Sequence, residues 1–192
     1  VHDRLFIRHW DTWKDGRRAH LFVVPTPDAD VASAPRGRRG RAVDLLRGLD
    51  ADCPSKPFGG AEEFTFTPDG RAVVFAARNA GRKEAWSTHF DLFLAPLDGR
   101  TKPRVVADGH GATVTQPTFS PDGKTLGYLA MARPGYESDR LRIVLKPWPQ
   151  GGSRVLTEAW DRSAQRIAWS RDGRTIYTHA DQLGQHPLFA VD

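Results

Sequence analysis

The sequence predicts an all-β fold, a β-propeller of four-stranded antiparallel blades. Three similar hairpins support this prediction, and each consists of a short apolar strand, a turn ending in Asp-Gly, and a second apolar strand. Their turn aspartates are Asp69, Asp122 and Asp172, so the hairpins recur at intervals of 53 and 50 residues. A repeat of roughly 40–50 residues that opens on a hairpin is typical of a propeller blade.

The central hairpin shows how the turn is encoded. Pro121 sets φ at the first corner of a type I turn, and Asp122 suits the second corner. Gly123 then supplies the positive φ that lets the two strands pair. The same pattern recurs at 63–77 and, with arginine in place of proline, at 166–178.

Apolar runs divide the chain into four partial or whole blades. Before the first hairpin we predict strands at 5–10, 19–24 and 41–46, with the second strand pairing with the first across a polar connection. A single partial propeller domain, 1–192, therefore contains the end of one blade (1–52), a second blade (53–107), a third blade (108–157) and an incomplete fourth blade (158–192).

Blade number predicts that the chain is part of a larger ring. Propellers close with about four to eight blades, and we expect a seven- or eight-bladed ring of which this chain is about half. An open half-ring would leave the sheets of its terminal blades uncovered, which is an aggregation liability. We therefore expect a fragment of a longer protein.

Composition and residue spacing exclude several classes of function. The single cysteine, Cys53, rules out an internal disulfide framework and is expected to be a packing residue. The seven histidines are dispersed without paired spacing, so we predict no metal site and no cofactor.

No run approaches the ~20 apolar residues of a membrane span, so we predict no membrane partner. A bacterial-like cytoplasmic or periplasmic location is expected.

The positive charge of the chain does not require a nucleic-acid partner. The net charge is +5, and residues 35–41 resemble an arginine-glycine segment of the kind that binds RNA or DNA. No aromatic residues lie between these arginines to stack on bases. A solvated loop is therefore favoured, and no nucleic-acid partner is predicted.

Strand alternation assigns the connections to two faces of the propeller. The Asp-Gly turns join first and second strands, and third-to-fourth connections share their face, which we call the tight-turn face. Second-to-third connections and the links between blades emerge on the opposite face. We call this the long-loop face because it carries the connections 78–90 and 132–140. Loops carry function more often than the elements they connect, so the site is predicted there.

An ordered set of connecting motifs resembles the propeller of the prolyl oligopeptidase family, and within it the bacterial dipeptidyl and acylaminoacyl peptidases. The hairpins alone do not single out this family, because TolB-like propellers and other blade repeats share them. The motifs span essentially the whole chain and comprise residues 8–23, Pro57-Phe-Gly-Gly60, Trp86-Ser-Thr-His-Phe-Asp-Leu92, Arg133-Pro-Gly-Tyr-Glu-Ser-Asp-Arg140 and Trp160-Asp-Arg-Ser163.

The resemblance implies a serine peptidase that cleaves short peptides. It implies a C-terminal α/β-hydrolase domain with a Ser-Asp-His triad, and a propeller that gates access and helps bind the peptide amino end. A nucleophile elbow needs Gly-x-Ser-x-Gly, and Gly151-Gly-Ser-Arg-Val155 lacks the last glycine. We therefore predict a non-catalytic portion whose partners are the hydrolase domain, the remaining blades and a peptide. The alternative is a TolB-like propeller that acts as a protein-interaction module without a hydrolase.

The connection 133–140 holds the candidate substrate-binding residues. A carboxylate in a partly desolvated pocket recognises a free α-ammonium group through a charge-assisted hydrogen bond. Glu137 is the first candidate and Asp139 the second, with Tyr136 as a supporting wall beside Arg133. The alternative is a loop held by ion pairs of these two carboxylates with Arg133 and Arg140. No catalytic residue is predicted in this chain.

Overall fold

The computed structural model describes residues 16–24 and 42–192 in full, together with the backbone of two short strands at 8–9 and 12–13. The arginine-rich segment 35–41 and much of the predicted strand 5–10 lie outside the described residues. The regular secondary structure of the described part is almost entirely β, with short 3-10 helices at Ala61–Glu63 and Gly81–Trp86. No helix within these ranges has the length and apolarity that crossing a membrane requires.

The strands of the described residues are numbered β1 to β15 in chain order. They are β1 (Arg8–His9), β2 (Thr12–Trp13), β3 (Phe22–Val23), β4 (Val43–Asp44), β5 (Phe64–Phe66), β6 (Ala72–Ala77), β7 (Asp91–Pro96), β8 (Arg104–Ala107), β9 (Val114–Phe119), β10 (Thr125–Ala130), β11 (Arg142–Pro147), β12 (Arg154–Val155), β13 (Ala168–Trp169), β14 (Ile176–His179) and β15 (Leu188–Val191).

Consecutive strands are neighbours in every sheet of the described part. Two sheets have four strands, in the orders β5-β6-β7-β8 and β9-β10-β11-β12, and a third sheet is β13-β14-β15. The pairs are antiparallel. This up-and-down order is that of propeller blades, and the predicted all-β propeller class is confirmed.

The predicted pairing of the strand at 19–24 with the strand at 5–10 falls largely on residues outside the described ranges and stays a prediction. Among the described strands, β3 pairs with β4. Strand β1 pairs with β2, with Arg8 opposite Trp13.

The inner strands of the blades are buried on both faces. All six residues of β6 are buried. Because successive side chains of a strand point to opposite faces, Phe75 packs with Leu46 of the preceding blade, whereas Val74 packs with Leu126 of the following blade. A strand in this position must be apolar throughout, which explains its continuous Ala-Val-Val-Phe-Ala-Ala sequence.

Strand β10 repeats this arrangement one blade later. Leu126 and Tyr128 belong to the cluster shared with the preceding blade. Leu129 points the other way and packs with Ile143 and with Ile176 of the next blade. The core of the described chain is therefore a series of sheet-on-sheet interfaces.

The tight turns are built from one repeated hydrogen-bond network. Ser120 Oγ–H donates to Asp122 Oδ1 at 2.6 Å, and Ser120 Oγ accepts the backbone N–H of Thr125 at 3.0 Å. The side-chain hydrogen bond from Ser120, followed by the N–H of Lys124, lowers the pKa of Asp122. The other two turns contain the same bonds and show the same pKa direction, with Thr67 and Asp69 in one and Ser170 and Asp172 in the other.

The glycines of these turns stack successive blades on the tight-turn face. Gly123 has φ +70°, and a Cβ added to it would lie 2.7 Å from the Cβ of Pro68 in the preceding turn. Gly173 has φ +71°, and its added Cβ would lie 3.5 Å from Pro121 Cδ. The three turns therefore lie side by side on one face of the propeller.

Gly123→Ala should lower the free energy of unfolding more than Gly173→Ala. Both substitutions force alanine into the left-handed region, which costs about 1 kcal/mol. Only the first also drives a methyl group into Pro68, so we expect an additional loss of roughly 1–2 kcal/mol. Urea denaturation of both variants, followed by tryptophan fluorescence, measures the difference. Equal losses would contradict the stacking of the turns.

Candidate functional site: the long-loop face

The long connections of neighbouring blades contact each other on the face opposite the tight turns. The backbone N–H of Gly135, between β10 and β11, donates to Thr88 Oγ1 at 2.9 Å. Thr113 Oγ1–H donates to the carbonyl of Thr88 at 2.7 Å. The connection 132–140 therefore rests on the connection 78–90, which is itself bonded to the link between β8 and β9.

Asp139 closes the connection that contains the candidate residues. Its Oδ2 accepts the backbone N–H groups of Ala132 and Arg133, both at 2.8 Å, and its Oδ1 accepts that of Arg140 at 3.0 Å. Desolvation raises the pKa of this carboxyl group, but the three backbone donors outweigh it, so the pKa lies below its ordinary value. Both oxygens of Asp139 are thus engaged within its own loop.

The tip of the connection presents an aromatic ring and a carboxylate to solvent. The Arg133 guanidinium lies over the Tyr136 ring, 4.0 Å from its centroid, and Tyr136 is 43% exposed. Glu137 is exposed and, within the described ranges, forms no hydrogen bond or ion pair. The alternative, a loop held by ion pairs of these carboxylates with Arg133 and Arg140, is not seen among the described residues: Asp139 binds backbone N–H groups and Arg133 stacks on the ring.

Arg140 fixes the other end of the connection to the link between the third and fourth blades. Its guanidinium donates to the carbonyl oxygens of Thr157 at 3.1 Å, of Glu158 at 2.7 Å and of Trp160. Ser163 Oγ accepts the backbone N–H of Leu141 at 2.9 Å. The motifs at 133–140 and 160–163, which are distant in sequence, are therefore joined on the long-loop face.

A charged cluster joins the first and second blades on the same face. Arg18 donates two hydrogen bonds of 2.8 Å to Glu84, one of 2.9 Å to Asp52 and one of 2.8 Å to Asp50. The side chains of Arg18, Asp52 and Glu84 are each about nine-tenths buried. The bond to Glu84 raises the pKa of Arg18, while desolvation opposes it. Sequence analysis missed this cluster because its members come from three separate connections.

A second cluster of ionisable groups lies between the second and third blades. His89 Nε2 is 2.9 Å from Asp91 Oδ1 and 3.7 Å from Asp108 Oδ1. The ligand atoms of the three side chains all lie within 4.8 Å of one another. The sequence predicted no metal site because these residues show none of the paired spacings of common metal motifs.

Cys53 lies in the core rather than at a site. It is fully buried in the interface between the first and second blades. Desolvation, followed by the nearby carboxylates of Glu63 and Asp52, raises the pKa of its thiol well above the ordinary range. The thiol stays protonated at neutral pH, so Cys53 is a packing residue and not a nucleophile.

Removing one carboxylate of the buried cluster should destabilise the fold more than removing an exposed one. We expect Glu84→Gln to lower the free energy of unfolding by roughly 2–4 kcal/mol, because Arg18 keeps its charge but loses its bidentate partner. Glu158→Gln is the matched control, since Glu158 is 63% exposed and pairs with Arg142, and an exposed pair is worth about 0–1 kcal/mol. Similar losses of unfolding free energy in urea denaturation would contradict the stabilising role of the buried cluster.

Acid should loosen the connection 132–140 before it unfolds the blades. The folded pKa of Asp139 is lowered, so its stabilising effect is present at neutral pH and is lost as the pH falls through that pKa. Asp139→Asn should increase backbone hydrogen exchange at Arg133 and Arg140 at pH 7. In this variant the protection factors of these amides, which correct for the intrinsic pH dependence of exchange, should no longer fall as the pH is lowered, whereas those of the wild type should. Unchanged exchange at pH 7 would contradict the loop-closing role.

Comparisons with known proteins agree with this architecture. No protein-family model matches the chain. Dipeptidyl-peptidase 5 of Trichophyton schoenleinii and a probable dipeptidyl-peptidase 5 of Arthroderma benhamiae are each 33% identical over 203 aligned residues, covering 100% of this chain and 27% of the relative. The chain thus spans about a quarter of the length of these curated relatives.

Solved structures give the same fold at lower sequence identity. A putative TolB from Agrobacterium tumefaciens superposes with a TM-score of 0.57 at 19% identity, over 81% of this chain and 48% of that one. A puromycin-hydrolyzing peptidase of Mycobacterium tuberculosis gives a TM-score of 0.55 at 19% identity, over 79% of this chain and 24% of that one. The resemblance predicted from the sequence is confirmed: the chain is a β-propeller segment similar to those of prolyl oligopeptidase family peptidases.

Proposed function

We propose that this chain is the non-catalytic propeller portion of a longer serine peptidase that hydrolyses short peptides. The observation that carries the proposal is the 33% identity to dipeptidyl-peptidase 5 along the whole chain. The nucleophile, its acid and its histidine would belong to an α/β-hydrolase domain elsewhere in the longer protein. The role of the blades is then to admit and orient the substrate.

The long-loop face is the surface proposed to meet the substrate. Its connections are held rigid by Asp139 and Arg140 and by the contact of Gly135 with Thr88. A rigid rim excludes chains that are too wide to pass, and it orients those that enter without a further entropic cost. Binding energy gained here, away from the scissile bond, would assist the reaction by positioning.

Glu137 is the proposed partner of the peptide amino end. It is an exposed carboxylate next to the half-exposed ring of Tyr136, on a connection whose base is closed by Asp139. Its charge is not used by another described residue, so it is available to a ligand. A peptide ammonium group that reached Glu137 would gain a charge-assisted hydrogen bond. The carbon atoms next to it would pack against the Tyr136 ring.

A protein-interaction propeller without a hydrolase is the second candidate. The fold similarity to a putative TolB, with a TM-score of 0.57, favours it. Fold alone does not separate the two candidates, because propellers carry many functions. Hydrolysis of peptides by the full-length protein does separate them.

Substrates with free and blocked amino ends test both parts of the proposal. We expect the full-length protein to cleave free-amine dipeptidyl chromogenic substrates. Glu137→Gln should lower kcat/KM for these substrates roughly tenfold to a hundredfold, since a hydrogen bond to a charged group contributes about 1.5–3 kcal/mol. The variant should cleave substrates with a blocked amino end as the wild type does.

Asp181→Asn is the matched control, since Asp181 is 71% exposed on the corresponding connection of the next blade. We expect this variant to keep the wild-type kcat/KM for both kinds of substrate. If Glu137→Gln behaves like this control, the amino-end contact is wrong and the peptidase proposal stands. If the wild-type protein cleaves neither substrate, the interaction-module candidate replaces the peptidase.

A further inference from the structure

We infer that His89, Asp91 and Asp108 form a binding site for a divalent transition-metal ion of the zinc type on the long-loop face. His89 lies at the end of the connection 78–90, Asp91 begins β7, and Asp108 lies in the link that follows β8. Imidazole and carboxylate groups are the nitrogen and oxygen ligands that zinc accepts in proteins. The site does not depend on the proposed peptidase function.

The distances between the ligand atoms match the edges of a metal coordination shell. Ligand atoms 2.0–2.2 Å from a tetrahedral zinc ion lie about 3.4 Å from one another. His89 Nε2 is hydrogen-bonded to Asp91 Oδ1 at 2.9 Å and lies 3.7 Å from Asp108 Oδ1, values that bracket this edge. A bound ion would replace this hydrogen bond, and it would draw together ligand atoms that already lie within 4.8 Å of one another.

Charge supports the same assignment. Leu92 pairs with Ala107 across β7 and β8, so Asp91 and Asp108 follow directly opposite each other at the end of this strand pair. Like charges placed opposite each other across two strands are destabilising. Two carboxylates and one divalent cation are neutral together, and neutral imidazole adds no charge. A bound ion would thus convert a repulsive pair into a coordinated one.

The backbone holds two of the ligands in place. The N–H of Gly109 donates to Asp91 Oδ1 at 2.7 Å, and the N–H of His110 donates to Asp108 Oδ1 at 2.6 Å. A side chain at Gly109 is excluded, because its Cβ would lie 2.4 Å from the carbonyl oxygen of Phe90. Hydrogen bonds of this kind orient metal-binding side chains and raise affinity.

A fourth ligand is available next to the other three. His110 Nδ1 lies 3.6 Å from Asp108 Oδ2, and its side chain is 86% exposed and so has room to turn. Asp108 lies between the two imidazoles and is half exposed. Rotation of His110 toward the ion would complete a tetrahedral set of two nitrogens and two oxygens. Water can occupy that position if the rotation does not occur.

Zinc titration of untagged full-length protein tests the site. Isothermal titration calorimetry with Zn²⁺ should show one binding event that Mg²⁺ does not reproduce, because magnesium prefers an all-oxygen shell. Zn²⁺ should also raise the melting temperature, since a ligand that binds the folded state stabilises it. His89→Gln should lower the zinc affinity at least tenfold while its amide N–H still reaches Asp91, so the loop stays folded.

Other histidines and carboxylates provide the controls. His186 and Asp181 form a similar pair, 2.7 Å apart, without a third ligand in the described residues, so His186→Gln should leave zinc affinity unchanged. His110→Gln should lower affinity less than His89→Gln does. Equal zinc affinity of His89→Gln and wild type, or a larger loss in His186→Gln, would overturn the site.

Discussion

The structure depends on the burial of the inner strands between neighbouring sheets. Strand β6 has no polar side chain and is buried along its whole length, and β10 is almost completely buried as well. Each sheet therefore needs a sheet on either side, because a strand that is apolar on both faces cannot meet water on one of them. This constraint fixes the order of the blades and separates their connections into two faces.

The two faces differ in the way they are held together. On the tight-turn face the contacts are short range and repeat from blade to blade, with one hydroxyl and one aspartate in each turn. On the long-loop face the polar contacts differ from one place to the next. They are the buried Arg18 cluster, the His89 cluster and the Arg140 contacts. Binding and catalytic residues lie more often on loops than on the elements that the loops connect, so these unrepeated polar groups are the candidates for recognition.

The sequence was sufficient for the fold and for the position of the faces, but not for the partners of individual residues. The Asp-Gly turns are local signals, so Gly123 and its equivalents could be placed before the structure was known. Arg18 meets Glu84 across 66 residues, and His89 meets Asp108 across two different connections. Such contacts depend on how the blades stack, and local sequence patterns do not specify that stacking. Asp139 shows the converse case, since three local backbone N–H groups occupy a carboxylate that the sequence offered as a substrate-binding candidate.

In the proposed peptidase, the long-loop face meets the substrate chamber. A structure of the full-length protein with a bound peptide product is the most direct test of this arrangement. We expect the connections 78–90 and 132–140 to face the chamber, with the peptide amino group within hydrogen-bonding distance of Glu137. A chamber enclosed by the Asp-Gly turns instead, or the absence of any hydrolase domain over the propeller, would contradict this arrangement.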